Sequence, residues 1–366
     1  MLTTILIIIT VIYLIELLYL LTGIFKADKV SQNEKYEPTV SVIVAARNEE
    51  HFIGDCLNSL IKLDYPSDKL EVIIVNDGST DKTSNIIQSY LKNHSCLKLI
   101  STSQRDGNLR GKANAIDLGI EASSGEIIMF TDADCRVPPS WIRATVKYFD
   151  PQTGIVGGFT LLDAKRSFEG MQALDWIFLF GLASSTTGLN IPLTVIGNNL
   201  SLRRIAYEET GGFQAIPFSV TEDYALVQSI LQQTKYQVRF PVDPKTVVNS
   251  IACQSWNQLY RQKQRWGVGG LDMIPRGLVI MGIGWIAKLS LLLTLFITGI
   301  YGWSVAFLLM ICGELIFLLR PLKLFKALGY LRYFPQFILF FFVYVLILPV
   351  IAYTSKKVIW KERHLK

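Results

Sequence analysis

The sequence predicts an α/β domain with a mostly parallel sheet, set between apolar segments that are long enough to cross a membrane. Half of the 366 residues are hydrophobic and the mean hydropathy is +0.34, which is too apolar for an ordinary soluble enzyme. Between residues 38 and 255, short apolar runs alternate with polar loops and helical patterns. Such alternation predicts parallel strands joined by helices.

The first element is an apolar run over residues 2–24, which as a helix spans roughly 35 Å and crosses a ~30 Å hydrocarbon core. It lacks a charged leading region and a small-residue cleavage site, so we expect residues 1–24 to be a retained anchor rather than a signal peptide. Lys26, Lys29 and Lys35 follow it, and the positive-inside bias therefore predicts a cytoplasmic domain next. Five scattered cysteines fit reduced thiols in that compartment.

The net charge of +6 is the second compositional signal. Much of the basic excess lies beside the apolar segments and is not interleaved with exposed aromatic residues. This distribution indicates contact with anionic lipid headgroups and argues against nucleic-acid binding.

The predicted cytoplasmic domain, residues 38–255, begins with two strand–loop–helix units. Residues 40–45 form a buried-strand pattern, followed by a polar loop at residues 47–50 and a helical pattern to Ile61. Residues 70–75 form the next strand pattern, which breaks at Asn76 and Asp77 before a helix over residues 81–91. Consecutive units of this kind predict neighbouring parallel strands. The sequence has no Gly-x-Gly-x-x-Gly and no phosphate-loop signature, which argues against dinucleotide binding and P-loop hydrolysis.

The strand around which the domain is organised ends in two carboxylates. A short strand at residues 98–100 and a helix at 111–122 precede the apolar run 127–130, which leads into Asp132 and Asp134. Open α/β sheets bind ligands at the carboxyl ends of their strands, so Asp77 should converge with this pair. At ~4 Å, two carboxylates repel each other by roughly 4 kcal/mol at an effective dielectric near 20. Mg²⁺ or Mn²⁺ would relieve this repulsion; the alternative is a simple acidic turn.

The second half of the domain has a looser pattern. Residues 171–182 are unusually apolar, which predicts a core segment or one that rests against the membrane surface. Residues 197–199, Gly-Asn-Asn, precede a short strand at 200–202. Thr221 is a candidate N-cap for a helix that opens with Glu222 and Asp223. The alternative for these acids is a first turn that complements the helix dipole.

The stretch at residues 260–270, YRQKQRWGVGG, belongs to a predicted interfacial segment over residues 256–277. Gln262, Arg265 and Trp266 share one helical face. The guanidinium suits a diphosphate and the indole can stack on a sugar ring. The alternative is a basic juxtamembrane helix that binds lipid phosphates through Arg261, Lys263 and Arg276.

Residues 278–355 predict about three further membrane helices, followed by a basic tail at 356–366. Two passes should turn near residues 301–304, and a third should run over 335–353. Because a charge within a span is costly, Lys288 should pair with Glu16 or Glu314, unless it snorkels from an interfacial helix. Both the loop at 320–332 and the tail are basic, yet a third span would place them on opposite sides. Counting passes puts the loop inside and the tail outside.

Five motifs occur in an order and spacing that resemble a family 2 glycosyltransferase over residues 38–270. They are Asp77 in NDGS, Gly111 and Lys112 in GKAN, Asp132 and Asp134 in DAD, Thr221 to Asp223 as TED, and Gln262 to Trp266 as QKQRW. The pattern is similar to the membrane-bound branch with the cellulose, hyaluronan and poly-N-acetylglucosamine synthases and, more distantly, the ceramide glucosyltransferases. The resemblance implies a GT-A fold with a Rossmann-like, mostly parallel sheet, a nucleotide-diphosphate sugar donor such as a UDP-sugar, Mg²⁺ or Mn²⁺, and inversion at the anomeric carbon.

The resemblance also implies a role for each matched residue. Asp223 would be the general base, and Asp134 with Asp132 would hold the metal. The remaining positions would bind the substrates: Ala45, Glu49, Asp77, Lys112 and Asp132 the nucleotide sugar, and Glu222, Gln262, Arg265 and Trp266 the diphosphate and acceptor.

Three classes of function remain open from the sequence. The first is sugar transfer to a lipid or glycan acceptor at the cell membrane, alone or with a partner subunit. The second is a nucleotidyltransferase, disfavoured by the absence of a glycine-rich phosphate-binding turn, and the third is a catalytically silent sugar-nucleotide-binding scaffold. Within the first class, QKQRW favours a processive polymerase, whereas few membrane helices favour a single transfer to a lipid.

Overall fold

The computed structural model describes residues 1–102, 109–355, 358–360 and 363–364. Described residues fall into two compact units. The sheet unit contains residues 29–161, 194–251 and the described residues beyond 357, and the helical unit contains residues 1–28, 162–193 and 252–355. Residues 162–193, which lie inside the 38–255 segment, thus group with the apolar helices.

The helices of the chain, in order, are α1 Leu2–Ala27, α2 Ile53–Leu60, α3 Thr83–Leu91, α4 Gly111–Glu121, α5 Trp141–Val146, α6 Ser167–Gly188, α7 Arg204–Glu208, α8 Glu222–Gln233, α9 Trp256–Gly270, α10 Pro275–Leu324 and α11 Phe334–Thr354. The strands are β1 Val40–Ala46, β2 Leu70–Asn76, β3 Leu97–Ser101, β4 Ile127–Asp132, β5 Thr153–Gly157, β6 Thr160–Asp163, β7 Leu200–Arg203, β8 Gln237–Arg239, β9 Val248–Ile251, β10 Ile359–Trp360 and β11 Arg363–His364. Short 3-10 turns occupy Gly197–Asn199, Gly212–Ala215, Pro244–Thr246 and Leu328–Tyr333.

The sheet unit is built on a seven-stranded sheet in the order β3-β2-β1-β4-β7-β5-β8. The first four strands are parallel, β7 is antiparallel to both β4 and β5, and β8 is parallel to β5. The predicted mostly parallel sheet is therefore confirmed. Its central strands are apolar because both faces are covered, and every residue of β4 except Asp132 is buried.

The helical unit collects α1, α6, α9, α10 and α11. Three segments in it are long and apolar enough to cross a membrane by length and composition: Leu2–Ala27, Pro275–Leu324 and Leu328–Thr354. α1 and α6 approach closely, since a Cβ placed on Gly23 would lie 2.1 Å from the Ser185 carbonyl oxygen. The apolar stretch predicted at 171–182 thus belongs to a helix, α6, that packs on α1.

Two local expectations need correction. The turn inside α10 falls at Gly299, not at residues 301–304, because the backbone there adopts φ 68° and ψ −171°, which glycine tolerates without a side-chain clash. Thr221 occupies the N-cap position of α8, but its side chain makes no capping hydrogen bond and lies 3.3 Å from the Ser219 hydroxyl instead.

Candidate active site

The carboxyl edge of the parallel strands brings three of the predicted residues together. In the register of the sheet, Ala45 of β1 is paired with Val75 on one side and with Asp132 on the other. Asp77 follows the last residue of β2, and its backbone N–H donates to the Ala46 carbonyl at 2.8 Å. Ala45, Asp77 and Asp132 therefore lie at one edge, as the strand order requires.

The loops that follow β1 and β2 are bonded to each other. The Asn48 N–H donates to the Ser79 hydroxyl at 3.1 Å, and the Thr80 N–H donates back to the Asn48 side-chain oxygen at 2.9 Å. The Glu49 N–H donates to the Thr83 hydroxyl at 2.8 Å. Asn48 has φ 52°, a conformation that Asn adopts more readily than most residues. These hydrogen bonds hold the loop that carries Glu49 against the loop that begins at Asp77.

Asp77 is almost fully buried, with 4% of its surface exposed. Its Oδ1 accepts from the Thr102 hydroxyl at 3.2 Å, and Arg47 donates to the Asp77 carbonyl at 2.7 Å and the Gly78 carbonyl at 3.1 Å. Arg47 and Thr102 were not among the predicted site residues. The sequence did offer a signal for Arg47, because it is a positively charged residue directly after the first strand.

Lys112 connects the sheet edge to α8. Its Nζ lies 2.6 Å from Asp132 Oδ1 and 3.7 Å from Glu222 Oε1. Burial opposes the charge on Lys112, but the carboxylates of Asp132, Glu222 and Asp223 outweigh burial and raise the pKa of the amine above its usual value. Lys112 therefore stays a cation, next to carboxylates that the sequence separates from it by up to 111 residues.

Asp223 is held by the backbone through both carboxylate oxygens. Oδ2 accepts from the Gly197 N–H at 2.7 Å and Oδ1 accepts from the Tyr224 N–H at 2.8 Å. Gly197 approaches so closely that a Cβ there would lie 3.3 Å from both Cβ and Oδ2 of Asp223. The Gly-Asn-Asn turn is visible in the sequence, but no local pattern there indicates that it supports the TED motif.

The turn that carries Gly197 is itself fixed by Asn199. Asn199 Oδ1 accepts from the Trp141 indole N–H at 2.9 Å. Its Nδ2 donates to the carbonyls of Phe159 at 2.8 Å and Thr246 at 2.9 Å. Asn199 is 2% exposed and its side chain is fully hydrogen-bonded, so the turn that orients Asp223 is rigid.

Asp132 and Asp134 lie beside two buried thiols. The Cys56 thiol donates to the Asp132 carbonyl at 3.6 Å, and the Cys135 thiol lies 3.5 Å from Asp134 Oδ1. Burial first, and then the charges of Asp134 and Asp132, raise the pKa of both thiols. The thiols therefore stay protonated, and within the described residues no group of three His, Cys, Asp or Glu side chains could hold a metal by itself.

Gln262, Arg265 and Trp266 lie on α9, in the helical unit. The Trp266 ring packs 5.7 Å from the Trp176 ring of α6. Gln262 has a buried Oε1 that accepts no hydrogen bond from the part of the chain that the structure describes. The eight remaining predicted residues, Ala45, Glu49, Asp77, Lys112, Asp132, Asp134, Glu222 and Asp223, belong to the sheet unit.

Lys263, the second residue of QKQRW, does not face outward. It forms a buried ion pair with Asp175 of α6, and 4% of each residue is exposed. Its amine also lies 4.5 Å from the Trp266 ring centroid and 4.6 Å from that of Tyr344. The alternative in which Lys263 binds lipid phosphate is therefore wrong, because its charge is neutralised inside the helical unit.

The protein-family model for glycosyl transferase family 2 matches residues 41–219. A poly-beta-1,6-N-acetyl-D-glucosamine synthase of Staphylococcus epidermidis is 29% identical over 241 residues, which cover 65% of this chain and 56% of that protein. A beta-monoglucosyldiacylglycerol synthase of Synechocystis is 29% identical over 268 residues, covering 69% and 53%. The chain thus spans about half the length of the curated relatives it matches.

Among solved structures, the chain is similar to the mannosyltransferase PcManGT of Pyrobaculum calidifontis, determined in complex with GDP-Man and Mn²⁺. The TM-score is 0.61 at 21% sequence identity, with 97% of this chain and 100% of the other covered. This likeness extends over both units and establishes the shared GT-A fold.

Proposed function

Because the chain belongs to glycosyl transferase family 2, we propose that it transfers a sugar from a nucleotide-diphosphate donor to a hydroxyl of a lipid or glycan acceptor, with inversion at the anomeric carbon. The observation that carries the proposal is the position of Asp223. Its carboxylate is held by two backbone N–H groups and lies within the electrostatic reach of Lys112, which pairs with Asp132 at the sheet edge.

Asp223 is the proposed general base. A carboxylate has about four lone-pair positions, and the two N–H bonds to Asp223 leave positions for an acceptor hydroxyl. The base takes the proton of that hydroxyl as its oxygen attacks the anomeric carbon, and the nucleoside diphosphate leaves from the opposite face. General-base catalysis of this kind contributes about 10²- to 10⁴-fold.

The donor is proposed to bind along the sheet edge. Ala45, Glu49 and Asp77 form the nucleoside end, where Asp77 is buried and hydrogen-bonded and the two loops are bonded to each other. Lys112 and Asp132 form the phosphate end. Three carboxylates keep Lys112 positively charged. It can therefore pair with a diphosphate without gaining or losing a proton.

Asp132 and Asp134 fit a divalent cation that takes its remaining ligands from the donor. Carboxylate oxygens are the donors that Mg²⁺ and Mn²⁺ prefer, and both thiols near them are buried and protonated. The bound ion would supply positive charge against the departing diphosphate. Glu222, Gln262, Arg265 and Trp266 are proposed to contact the diphosphate and acceptor.

We place the protein in the cell membrane, with the sheet unit on the cytoplasmic side. Three segments are long and apolar enough to span a bilayer, and Lys26, Lys29 and Lys35 follow the first of them. Relatives named for a polysaccharide and for a glucosyl lipid product support an acceptor of either class.

Asp223→Asn tests the base. The 366-residue chain in nanodiscs is incubated with GDP- and UDP-sugars and candidate acceptors, and released nucleoside diphosphate is measured. We expect transfer to fall by about 10²-fold or more, since the amide cannot take a proton, while calorimetric donor affinity stays within about threefold. Asp55→Asn, an exposed carboxyl on α2, is the matched control. Near-normal turnover by Asp223→Asn would remove Asp223 from the role of base.

Asp134→Ala tests the metal site. Donor affinity is titrated calorimetrically with and without Mn²⁺, for the wild type and the variant. We expect Mn²⁺ to strengthen donor binding in the wild type and to have little effect in the variant, because one carboxylate ligand is gone. Equal Mn²⁺ dependence in both proteins would exclude Asp134 as a ligand.

A further inference from the structure

α4, the helix that carries Lys112 in its first turn, also carries a buried carboxylate that the proposed mechanism does not use. This residue, Asp117, is 3% exposed. Its Oδ1 accepts from the Tyr207 hydroxyl at 2.6 Å, and its Oδ2 accepts from the Gln214 side-chain amide at 2.6 Å. Both carboxylate oxygens of Asp117 are therefore bonded to residues 204–215, the segment that contains α7 and the 3-10 turn after it.

The Tyr207 side chain is fixed on the side of this segment as well. Its hydroxyl accepts from the Phe213 N–H at 3.0 Å while it donates to Asp117. A Cβ on Gly212 would lie 2.5 Å from the Tyr207 ring, so the 3-10 turn packs directly against that ring. Burial, and then the hydrogen bond to Asp117, raise the pKa of Tyr207 above its usual value. The hydroxyl therefore stays protonated and remains a donor to the carboxylate.

The C-terminal end of α4 is held by the same segment. Arg204, the first residue of α7, donates to the Gly125 carbonyl at 2.8 Å and to the Ser123 hydroxyl at 2.6 Å. Another N–H of the same guanidinium reaches the Ile120 carbonyl at 3.4 Å. The last carbonyls of a helix lack partners within the helix, and a cation beside them complements the helix dipole. Residues 204–215 thus hold α4 both at Asp117 and at its end.

The opposite face of α4 lies directly on the sheet. Gly119 is two residues beyond Asp117, which on a helix turns it to the other side. A Cβ there would lie 2.6 Å from Cγ2 of Ile43 and 3.1 Å from Cγ2 of Val75. The absence of a side chain at Gly119 therefore lets α4 approach β1 and β2 closely. The sheet sets how near α4 lies to the strands, and residues 204–215 set its position over them.

The contacts that α4 makes with the second half of the sheet unit run antiparallel to the helix. Arg204 meets the end of α4, and Gln214 meets Asp117 near its middle. Glu222, farther along the chain, lies 3.7 Å from Lys112 Nζ at the start of the helix. The chain is therefore already attached to α4 at two points before it reaches the Lys112 amine.

We propose that Asp117 and Tyr207 are positioning residues for the sugar donor, which act by fixing α4 so that the Lys112 amine lies where the diphosphate binds. The inference rests on the proposed role of Lys112 in binding that diphosphate. Lys112 is five residues, or about 7.5 Å, from Asp117 along the helix, so any shift of α4 moves the amine with it. Small displacements of a group that holds the reacting part of a substrate are costly.

Tyr207→Phe tests the inference against a matched control, Tyr65→Phe. The first variant removes the hydroxyl that donates to Asp117, and the second removes a hydroxyl that donates to the Pro38 carbonyl at the same distance, 2.6 Å. Both tyrosines are buried, with 6% and 8% exposed, but Tyr65 packs with α2. The two variants should therefore lose similar stability, while only Tyr207→Phe loosens α4.

Asp117→Asn and Asp117→Leu separate the hydrogen bonds from the volume of the side chain. Asparagine keeps an oxygen for the Tyr207 hydroxyl, and the Gln214 amide can turn so that its oxygen accepts from the new N–H₂ group. Leucine has a similar volume but can form neither bond. The asparagine variant should therefore keep α4 in place, and the leucine variant should not.

Two measurements are made on the 366-residue chain in nanodiscs, together with unfolding temperatures. Donor affinity is titrated calorimetrically with GDP- and UDP-sugars in the presence of Mn²⁺. The position of Lys112 is followed through the rate at which a lysine-selective acylating reagent modifies it, read by mass spectrometry. We expect Tyr207→Phe and Asp117→Leu to weaken donor binding about tenfold and to change the acylation rate of Lys112, with Asp117→Asn and Tyr65→Phe within about threefold of the wild type.

The outcomes separate the inference from the proposed function. If Tyr207→Phe and Asp117→Leu bind the donor as tightly as Tyr65→Phe does, the two residues only stabilise the fold, and the inference is overturned while the proposed function stands. Equal losses of donor affinity in Asp117→Asn and Asp117→Leu would also overturn it, because the hydrogen bonds would then not be what positions α4. If the wild type binds no nucleotide-diphosphate sugar, the proposed function fails, and the inference fails with it.

Discussion

At the scale of single residues, the position of Asp223 depends on a glycine 26 positions earlier. The Gly197 N–H holds Oδ2, and the absence of a side chain at Gly197 is what permits this approach. Asn199 fixes the turn through three hydrogen bonds. The proposed base is thus oriented by backbone groups, which change little when neighbouring side chains move.

Gly197→Ala tests this arrangement. The new methyl group would lie 3.3 Å from two atoms of Asp223, closer than an ordinary contact, so the carboxylate must shift. We expect kcat to fall about tenfold or more while donor affinity is unchanged, because small misplacements of a catalytic group are costly. Gly282→Ala, where a Cβ meets no atom within 4 Å of the described chain, is the control. If Gly197→Ala were as active as this control, Gly197 would not be needed to orient the proposed base.

At the scale of elements, α6 holds α9 through neighbouring positions on one face. Gln172 exchanges two hydrogen bonds with the backbone of Cys253, at 2.9 and 3.1 Å. Asp175 pairs with Lys263, and Trp176 packs on Trp266. The spacing of i, i+3 and i+4 puts these three α6 side chains on a single stripe, so α6 fixes both the segment just before α9 and the middle of α9.

Asp175→Asn is expected to destabilise the protein by about 3–5 kcal/mol, because it leaves the amine of Lys263 buried and uncompensated. The double variant Asp175→Leu with Lys263→Met should recover most of this loss, since both charges are removed. Thermal unfolding in detergent measures both. Lys69→Met is the control, because its ion pair with Glu37, in which the two side chains are 36% and 37% exposed, contributes little to stability. Equal losses for Asp175→Asn and the control would refute the role of the buried pair.

At the scale of the whole molecule, an ion pair joins the two halves of α10. Lys288 pairs with Glu314, so the predicted pairing of Lys288 is confirmed for Glu314. The Tyr13 hydroxyl of α1 donates to the same carboxylate at 2.8 Å. Glu16 is not the partner, and its buried Oε1 has no hydrogen bond within the described residues. The Glu314 carboxylate thus links α1 and the two halves of α10.

Lys288→Leu should lower the yield of monodisperse protein in detergent, because Glu314 is left buried without its cation. Lys288→Leu combined with Glu314→Leu should restore much of the yield, since no charge then remains unpaired. Size-exclusion profiles and unfolding temperatures give the comparison. If the single and double variants behave alike, the pair contributes nothing to assembly.

Much of the fold followed from local patterns in the chain. The bounds of β1, β2 and β4 agree with the predicted runs to within two residues, because an apolar run between polar loops is a local signal. The strand order then placed Ala45, Asp77 and Asp132 at one edge, since parallel strands end on the same side. The motifs that resemble family 2 could be recognised for the same reason, since each lies within a few consecutive residues.

The sequence by itself determined the parallel strands, the acidic side chains at their ends and the apolar lengths that can cross a membrane. All of these depend on residues close together in the chain. Only the tertiary structure decided that Gly197 holds Asp223, that Lys263 turns inward to Asp175, and that α11 packs against α9. Each of these depends on a partner 26 to 88 residues away, and no local periodicity encodes which distant surface will meet a given side chain.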